Sequence, residues 1–141
     1  MKTDRAASEL EVRAAAALKA LLEQVSAVKL REIKHKPPAR GHAAEIVARI
    51  DVYGHSHTLA CEFNLDPSPS TVRASLQKML DCAAHLSGQT TPVLIAPYLS
   101  PEVQALCKES RAGFLDLEGN ARLTLGEFFI GKRSLHQQPA A

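Results

Sequence analysis

Residues 45–65 read EIVARIDVYGHSHTLACEFNL, and this segment predicts a β-hairpin. Apolar and polar residues alternate over residues 45–51 and again over residues 58–65, which is typical of strands that bury one face. A two-residue turn at Gly54-His55, with glycine in the first position, would join the two strands. The hairpin is therefore expected to have one apolar face and one polar face that carries the acids.

That turn fixes which residues of the two strands face each other. Glu45 faces Asn64 and Val47 faces Glu62, so Glu45 and Glu62 become diagonal neighbours on the polar face. Diagonal positions are about 7–8 Å apart at the backbone, a gap that two long side chains can close. Two carboxylates brought together in this way repel each other unless a positive charge lies between them.

On spacing alone, two interpretations of this acidic pair stay open. Antiparallel sheets often expose one face to water, and Arg49 on the same face would soften the repulsion. Alternatively, Glu45 and Glu62 bind a divalent cation, because Mg²⁺ is usually held by one or two carboxylates and completed by water and phosphate oxygens. His55 and His57 also have metal-ligand chemistry, but no third ligand is near them in sequence and a solvated hairpin tip is the favoured interpretation.

The composition is that of a globular protein. The chain has 141 residues, of which 45% are hydrophobic and 23% charged, and we expect one domain over residues 1–133 followed by a disordered tail over residues 134–141. Its net charge of +2 permits anionic partners without requiring them. No apolar run reaches the roughly 18 residues that span a bilayer, and no signal-peptide pattern is found, so a cytoplasmic protein without membrane contact is expected. Its three cysteines are expected to be reduced core residues: Cys61, Cys82 and Cys107.

Three helices are predicted from capping residues and apolar stripes. Thr3 or Asp4 can cap the first helix, whose apolar positions repeat at helical spacing up to Val25. Ser68-Pro69 and Ser100-Pro101 each combine an N-cap residue with proline at the first helical position, which indicates the start of two further helices.

Strand patterns fill the segments between these helices. Residues 28–36 alternate imperfectly, with Val28, Leu30 and Glu32 expected on one side and Lys29, Arg31 and Ile33 on the other. Residues 93–96 are continuously apolar, as in a strand at the middle of a sheet that is covered on both sides. Two more strands are expected at 113–117 and 121–125. The resulting order, α-β-β-β-α-β, predicts an α/β fold with a mixed sheet flanked by helices.

That order resembles the core of the restriction-endonuclease-like, or PD-(D/E)XK, nucleases. In that family an acid opens the second strand and Glu-x-Lys lies on the third, and here Ala44-Glu45-Ile46 and Glu62-Phe63-Asn64 occupy those places. The resemblance implies that Glu45 and Glu62 are ligands of Mg²⁺ or Mn²⁺. The chain departs from the family at Glu45, where aspartate is usual, and at Asn64, where lysine is usual.

The missing lysine bears on catalysis. In two-carboxylate nucleases the metal lowers the pKa of a bound water, while a neighbouring ammonium orients that water and adds positive charge. Asn64 donates and accepts hydrogen bonds but carries no charge, and the loss of one such donor typically costs on the order of 10²–10³ in rate. A catalytically degenerate domain is the favoured interpretation, and an active metal-dependent endonuclease using Glu45, Glu62 and Asn64 is the alternative.

A second resemblance covers the C-terminal half. Residues 92–101 read PVLIAPYLSP and residues 113–123 read GFLDLEGNARL. These motifs are similar to those of the AbiEi-type antitoxin and transcriptional-regulator family of bacteria, which implies a regulatory or defence role and a protein partner such as a toxin. Within the second motif, Asp116 and Asn120 have either a functional role or a turn role, in which Asp116 caps the turn and Asn120 takes a left-handed conformation beside Gly119.

Basic residues suggest a DNA-binding footprint without base readout. With 4% aromatic residues and no tryptophan, a base-stacking platform for single-stranded nucleic acid is not expected. A solvated basic edge and a purely protein-binding role both stay open, as does a homodimer. The candidate residues are Lys29, Arg31, Lys34, Lys36, Arg40, Arg73 and Lys78.

Overall fold

A computed structural model describes residues 2–36, 44–85, 89–125 and 128–132. Within these ranges the chain forms three helices and seven strands. The helices are α1 (Lys2–Glu23), α2 (Pro69–His85) and α3 (Pro101–Glu109), and the strands are β1 (Val28–Lys36), β2 (Ala44–Val52), β3 (His55–Phe63), β4 (Thr90–Ala96), β5 (Gly113–Asp116), β6 (Ala121–Leu125) and β7 (Phe128–Lys132).

All seven strands form one mixed sheet whose spatial order follows the chain from β1 to β7. Pairing is antiparallel from β1 to β3, parallel from β3 to β5, and antiparallel again from β5 to β7. The elements from α1 to β4 follow the order α-β-β-β-α-β, which confirms the predicted α/β fold class. Strand β4 is fourth of the seven, and its residues 91–96 are buried, as the continuous apolar run predicted.

The sheet separates two apolar cores. On one side, α1 buries a stripe that includes Leu18 and Leu22 against residues from all seven strands. On the other side, α2 and α3 contribute Val72, Leu76 and Val103 and pack against β4 and β5. Among the described residues, this second core takes no member from β1, β2 or β3. The second face of those three strands is therefore available for polar groups.

The helix starts agree with the sequence at two of three places. Ser100 caps α3, with its hydroxyl accepting from the Val103 N–H at 3.3 Å, and Pro101 is the first helical residue. Ser68 caps α2 in the same way, because its hydroxyl accepts from the Thr71 N–H at 3.4 Å. The predicted cap of α1 at Thr3 or Asp4 is wrong, since both residues lie inside a helix that begins at Lys2.

The hairpin turn lies one residue earlier than the sequence predicted. Val52 pairs with His55, so the two-residue loop is Tyr53-Gly54, with φ of 50° and 83° at these residues. Positive φ at both positions is the type I′ pattern, whose twist matches that of the flanking strands. The predicted register is therefore wrong by two residues, and Glu45 lies directly opposite Glu62. A shift of two preserves the side of each residue, so the predicted faces of the hairpin are correct.

Strand β1 contains a bulge that the sequence pattern did not predict. Leu30 pairs with Ile50 and Glu32 pairs with Arg49, so that Arg31 is the additional residue on β1. A bulge reverses the alternation of side chains beyond it. Leu30 and Ile33 therefore both pack against the α1 core, whereas Glu32 is exposed, and the predicted positions of Glu32 and Ile33 are wrong.

The last strand, the membrane-span search and the predicted tail complete the comparison with the sequence. Strand β7 lies beyond the last strand predicted from the sequence. Among the described residues, no helix combines the length and the apolar character needed to cross a membrane. The expected tail over residues 134–141 lies outside the described ranges.

Candidate functional site

The second face of β1–β3 carries most of the residues singled out from the sequence. Side chains alternate along a strand, so those that do not enter the α1 core point to this face. We call it the polar face. Its described side chains are Lys29, Arg31, Glu32 and Lys34 from β1, Val47, Arg49 and Asp51 from β2, and Ser56, Thr58, Ala60 and Glu62 from β3.

At one end of the polar face, the two acids occupy opposed positions. Glu45 and Glu62 are direct partners in the β2–β3 register. Residues directly opposed in an antiparallel pair have Cβ atoms about 4.5–5.5 Å apart, and like charges there are destabilising. Glu62 is half-buried and its Oε2 atom is shielded from solvent. The corrected register therefore brings the two positions closer than the predicted diagonal did.

The same row of the sheet includes a lysine. Lys36 pairs with Glu45 across β1 and β2, and Glu62 pairs with Leu94 across β3 and β4. The sequence pattern predicts Lys36 at the frayed end of a strand, where it indicates only a DNA contact. The corrected register puts it one strand away from Glu45, at a position that the Glu62-Phe63-Asn64 triplet by itself could not indicate.

Asn64, at the end of β3, has a turn role. Its Oδ1 accepts a hydrogen bond from the Asp66 N–H at 3.1 Å, and its own N–H donates to the Ile95 carbonyl at 2.8 Å. An Asx turn of this kind starts the connection to α2. The side-chain oxygen is therefore used locally, directly after the strand that carries Glu62.

The acidic pair supplies only the smallest number of carboxylate ligands that a divalent cation site needs. Mg²⁺ and Mn²⁺ take oxygen ligands, and one or two carboxylates suffice when water and phosphate oxygens complete the shell. The opposed positions of Glu45 and Glu62 supply two. No group of three or more histidine, cysteine, aspartate or glutamate side chains suited to a metal occurs in the described part of the chain.

Asp116 is buried and its hydrogen bonds are internal. Its carboxylate accepts from the N–H groups of Leu99, Glu118 and Asn120 and from the Asn120 side-chain amide, at 2.8–3.0 Å. Asp116 and Asn120 are each 1% exposed. These contacts close the β5–β6 turn and join it to the segment before α3, so the turn role predicted for Asp116 is confirmed.

One detail of that turn prediction is wrong. Gly119 takes the left-handed conformation, with φ of 103°. In the described ranges, the residues other than glycine with positive φ are Tyr53 and Arg111, so Asn120 is not among them. Glycine adopts this conformation without the steric cost that a Cβ imposes.

The basic candidates divide into three groups: residues of β1 on the polar face, residues of α2, and two residues whose side chains lie outside the described part of the chain. Lys29, Arg31 and Lys34 lie along β1 on the polar face. Arg31 donates through Nε to Asp51 Oδ2 at 2.6 Å, and Lys34 Nζ is 3.6 Å from Glu32 Oε1. The carboxylates of Asp51 and Glu32 thus partly neutralise the positive charge of this row.

The remaining basic candidates lie elsewhere. Arg73 and Lys78 are exposed on α2, which packs over β4 and reaches β3. Arg40 lies outside the described residues, and only the backbone position of Lys36 is described. The structure therefore brings together Lys29, Arg31 and Lys34 but does not join them to the α2 residues.

His57 is buried, so the prediction of a solvated hairpin tip is wrong for this residue. Its Nε2 is 3.1 Å from Thr91 Oγ1, and Thr91 in turn donates to the Thr124 carbonyl at 3.4 Å. Burial lowers the pKa of His57 below 6.5, and a hydrogen bond with the Gln89 side chain acts in the opposite direction. His55 is exposed, as predicted.

Two of the three cysteines are confirmed as free, buried core residues. Burial raises the pKa of Cys61 and of Cys107 to about 12, so neither thiol is an activated nucleophile at neutral pH. The side chain of Cys82 lies outside the described part of the chain.

Element order and sheet pairing define an α/β domain with the restriction-endonuclease-like order of elements. Among solved structures, the chain is similar to "Structure of EndoMS in apo form", with a TM-score of 0.45 and 14% sequence identity. The match covers 74% of this chain but only 45% of that chain. No protein-family model matches the sequence, and no curated protein is significantly similar to it.

Proposed function

We propose that this chain is a catalytically degenerate restriction-endonuclease-like domain that binds DNA. The observation that carries the proposal is the row of Lys29, Arg31 and Lys34 on a sheet face that no apolar core covers among the described residues. Asn64 supports the degenerate interpretation, because it is uncharged and its side-chain oxygen is used in a turn.

A strand that carries cations on one side suits the phosphate backbone of a duplex. Phosphate contacts position a protein without reading sequence, and each releases counterions from the DNA. Few exposed aromatic side chains accompany this row in the described residues, so the proposed interaction is mainly electrostatic. Binding should therefore weaken steeply as salt is added.

Charge reversal at one exposed position tests the proposal. In Lys34→Glu we expect the duplex Kd to rise, and the slope of log Kd against log salt to fall by about 0.9 for each phosphate that the variant no longer neutralises. Arg13→Glu is the matched control, since Arg13 is exposed on α1, on the opposite side of the sheet. Equal affinity and equal slope in wild type and Lys34→Glu would contradict the proposal.

A role as an antitoxin or defence regulator is a finer part of this proposal. Its support is the resemblance of residues 92–101 and 113–123, whose two segments are joined by the hydrogen bond from the Leu99 N–H to Asp116. Co-expression with a candidate toxin followed by gel filtration tests it, and the same experiment reports whether the protein forms a homodimer. Elution as a lone monomer with every candidate would contradict the role.

A metal-dependent nuclease is the second candidate, and one observation favours it. Lys36, Glu45 and Glu62 occupy adjacent positions in one row of the sheet, which places a lysine position beside two glutamate positions. Mg²⁺ or Mn²⁺ held there would supply an activated water and offset phosphate charge. In this proposal Glu45 and Glu62 hold the ion, and Lys36 takes the positioning role that the family assigns to lysine.

Calorimetry with Mn²⁺ separates the two candidates. The nuclease proposal expects binding that Glu62→Gln abolishes and that the control Glu118→Gln, at a turn position far from the acidic pair in sequence, leaves unchanged. It also expects Lys36→Met to retain Mn²⁺ binding while cleavage is abolished. Absence of Mn²⁺ binding to the wild-type protein would contradict the nuclease and leave DNA binding as the proposed function.

A further inference from the structure

A pocket of about 370 Å³ lies at the turn end of the polar face. Asp51 follows Glu45 by six positions, so the pocket is roughly 20 Å along β2 from the acidic pair. It is formed where the α1–β1 connection meets the hairpin turn. The residues that line it are Ser26, Ala27, Lys29, Arg31, Asp51, Tyr53 and Gly54.

Two cations and one carboxylate form the charged wall of the pocket. Lys29 lies directly opposite Asp51 in the β1–β2 register, and Arg31 donates to the same carboxylate at 2.6 Å. Asp51 therefore orients the guanidinium, and the cluster has an excess of one positive charge. Arg31 Nη2 is also 2.5 Å from Asp51 Oδ2, and a guanidinium has five N–H donors, so the planar fork retains donors for an anion.

Tyr53 supplies an aromatic surface at the edge of the pocket. It is 71% exposed, the largest exposed fraction among the exposed large hydrophobic residues in the described ranges. Its backbone is fixed, because its φ is 50° within the two-residue turn and its N–H donates to the Ala27 carbonyl at 3.0 Å. An exposed aromatic ring on a rigid turn loses little conformational entropy when it stacks against a ligand.

We infer that this pocket binds one nucleotide unit, with its phosphate at Lys29 and Arg31 and its base stacked on Tyr53. Cations and an aromatic ring at one place are the chemistry that single-strand nucleotide recognition uses. The bulge at Arg31 and the turn at Tyr53 create this arrangement, because each displaces its residue from the regular pleat. The inference deepens the proposed function and depends on it only for the source of the nucleotide.

The hairpin offers a substitution that removes the ring without harming the turn. Asn-Gly is the most favoured pair in a type I′ turn. Tyr53→Asn should therefore fold at least as stably as wild type while losing the stacking surface. Tyr53→Phe keeps the ring and is the matched control.

Calorimetry and amide chemical shifts with thymidine 5′-monophosphate test the inference. We expect binding to wild type and Tyr53→Phe, and a Kd about 5- to 150-fold higher in Tyr53→Asn, which corresponds to the loss of one stacked base. Amide shifts should concentrate in residues 26–31 and 51–54. Lys29→Gln should weaken binding as well, because it removes a cation that meets the phosphate.

Other probes define the ligand and its source. Thymidine, which has no phosphate, should bind more weakly than the monophosphate. Tighter binding of a thymidine tetranucleotide than of the monophosphate identifies a nucleic-acid strand as the source, and the reverse identifies a free nucleotide. Inorganic phosphate binding as tightly as the monophosphate, or unchanged affinity in Tyr53→Asn, would overturn the inference.

Failure of this inference can be distinguished from failure of the proposed function. Lys34 does not line the pocket, so Lys34→Glu should lose duplex affinity and retain the mononucleotide. Tyr53→Asn should do the opposite. Loss of both ligands in both variants would contradict the assignment of a separate nucleotide pocket.

Discussion

At the scale of single residues, burial separates side chains that the sequence treats alike. His55 and His57 share a motif, yet His57 is 4% exposed and contacts Thr91, whereas His55 is exposed. Asp116 is similar, because its turn role can be inferred from Asp-x-x-Gly-Asn but its contact with Leu99 cannot. Contacts between residues distant in sequence decide both cases.

His57 gives the protein a predicted pH dependence. In the unfolded chain it gains its proton near pH 6.5, whereas burial delays that gain to lower pH in the folded protein. As pH falls from about 6.5 to the folded pKa, the unfolded state binds more protons, so the unfolding free energy should decrease by at most about 1.4 kcal/mol per pH unit. Urea denaturation of wild type, His57→Gln and the control His55→Gln checks this. A pH dependence unchanged in His57→Gln would show that another group is responsible.

Asp116 is expected to be among the most sensitive positions for stability. Asp116→Ala leaves the N–H groups of Leu99, Glu118 and Asn120 without their acceptor, and we expect a decrease of about 3–5 kcal/mol in unfolding free energy. Chemical denaturation measures the decrease. Glu118→Ala, in the same turn, should change it by less than about 0.5 kcal/mol. Equal effects of the two substitutions would contradict the assigned role.

At the scale of elements, local chemistry predicts helices and strands well, and register less well. Ser-Pro starts and apolar alternation located α2, α3 and both hairpin strands. The turn was misplaced because Gly54 suits either position of a two-residue loop, and only the structure shows that Tyr53 accepts a positive φ. No strong local sequence signal marks the bulge at Arg31. A prediction from regular alternation therefore places Glu32 and Ile33 on the wrong sides of β1.

The turn assignment predicts the effect of substitutions at Gly54. A Cβ at this position meets no other atom within 4 Å, but φ is 83°. Gly54→Ala should therefore lower the unfolding free energy by about 1–2 kcal/mol through backbone strain alone. Gly54→Asn should lose less, because asparagine tolerates this conformation. Thermal unfolding of the two variants checks the order, and equal stability of Gly54→Ala and wild type would contradict the type I′ turn.

At the scale of the whole molecule, the distribution of helices defines the site. The sequence predicts the α/β order because the apolar face of each helix must be buried against the sheet. The apolar pattern of a helix does not show which strands that helix covers. In the structure, α2 and α3 cover β4 and β5, and the polar face of β1–β3 is left to charged residues. That arrangement joins Lys29, Arg31 and Lys34 and separates them from Arg73 and Lys78, which the sequence had grouped with them.

Amide chemical-shift mapping with a short duplex tests whether the polar face binds DNA. We expect the shifts to concentrate at Lys29, Arg31 and Lys34 on β1 and at Arg49 on β2, and to diminish as salt is added. Residues of α1, including Arg13, should shift little, since α1 packs on the other side of the sheet. Shifts centred on α1, or no shifts at low salt, would contradict DNA binding by the polar face.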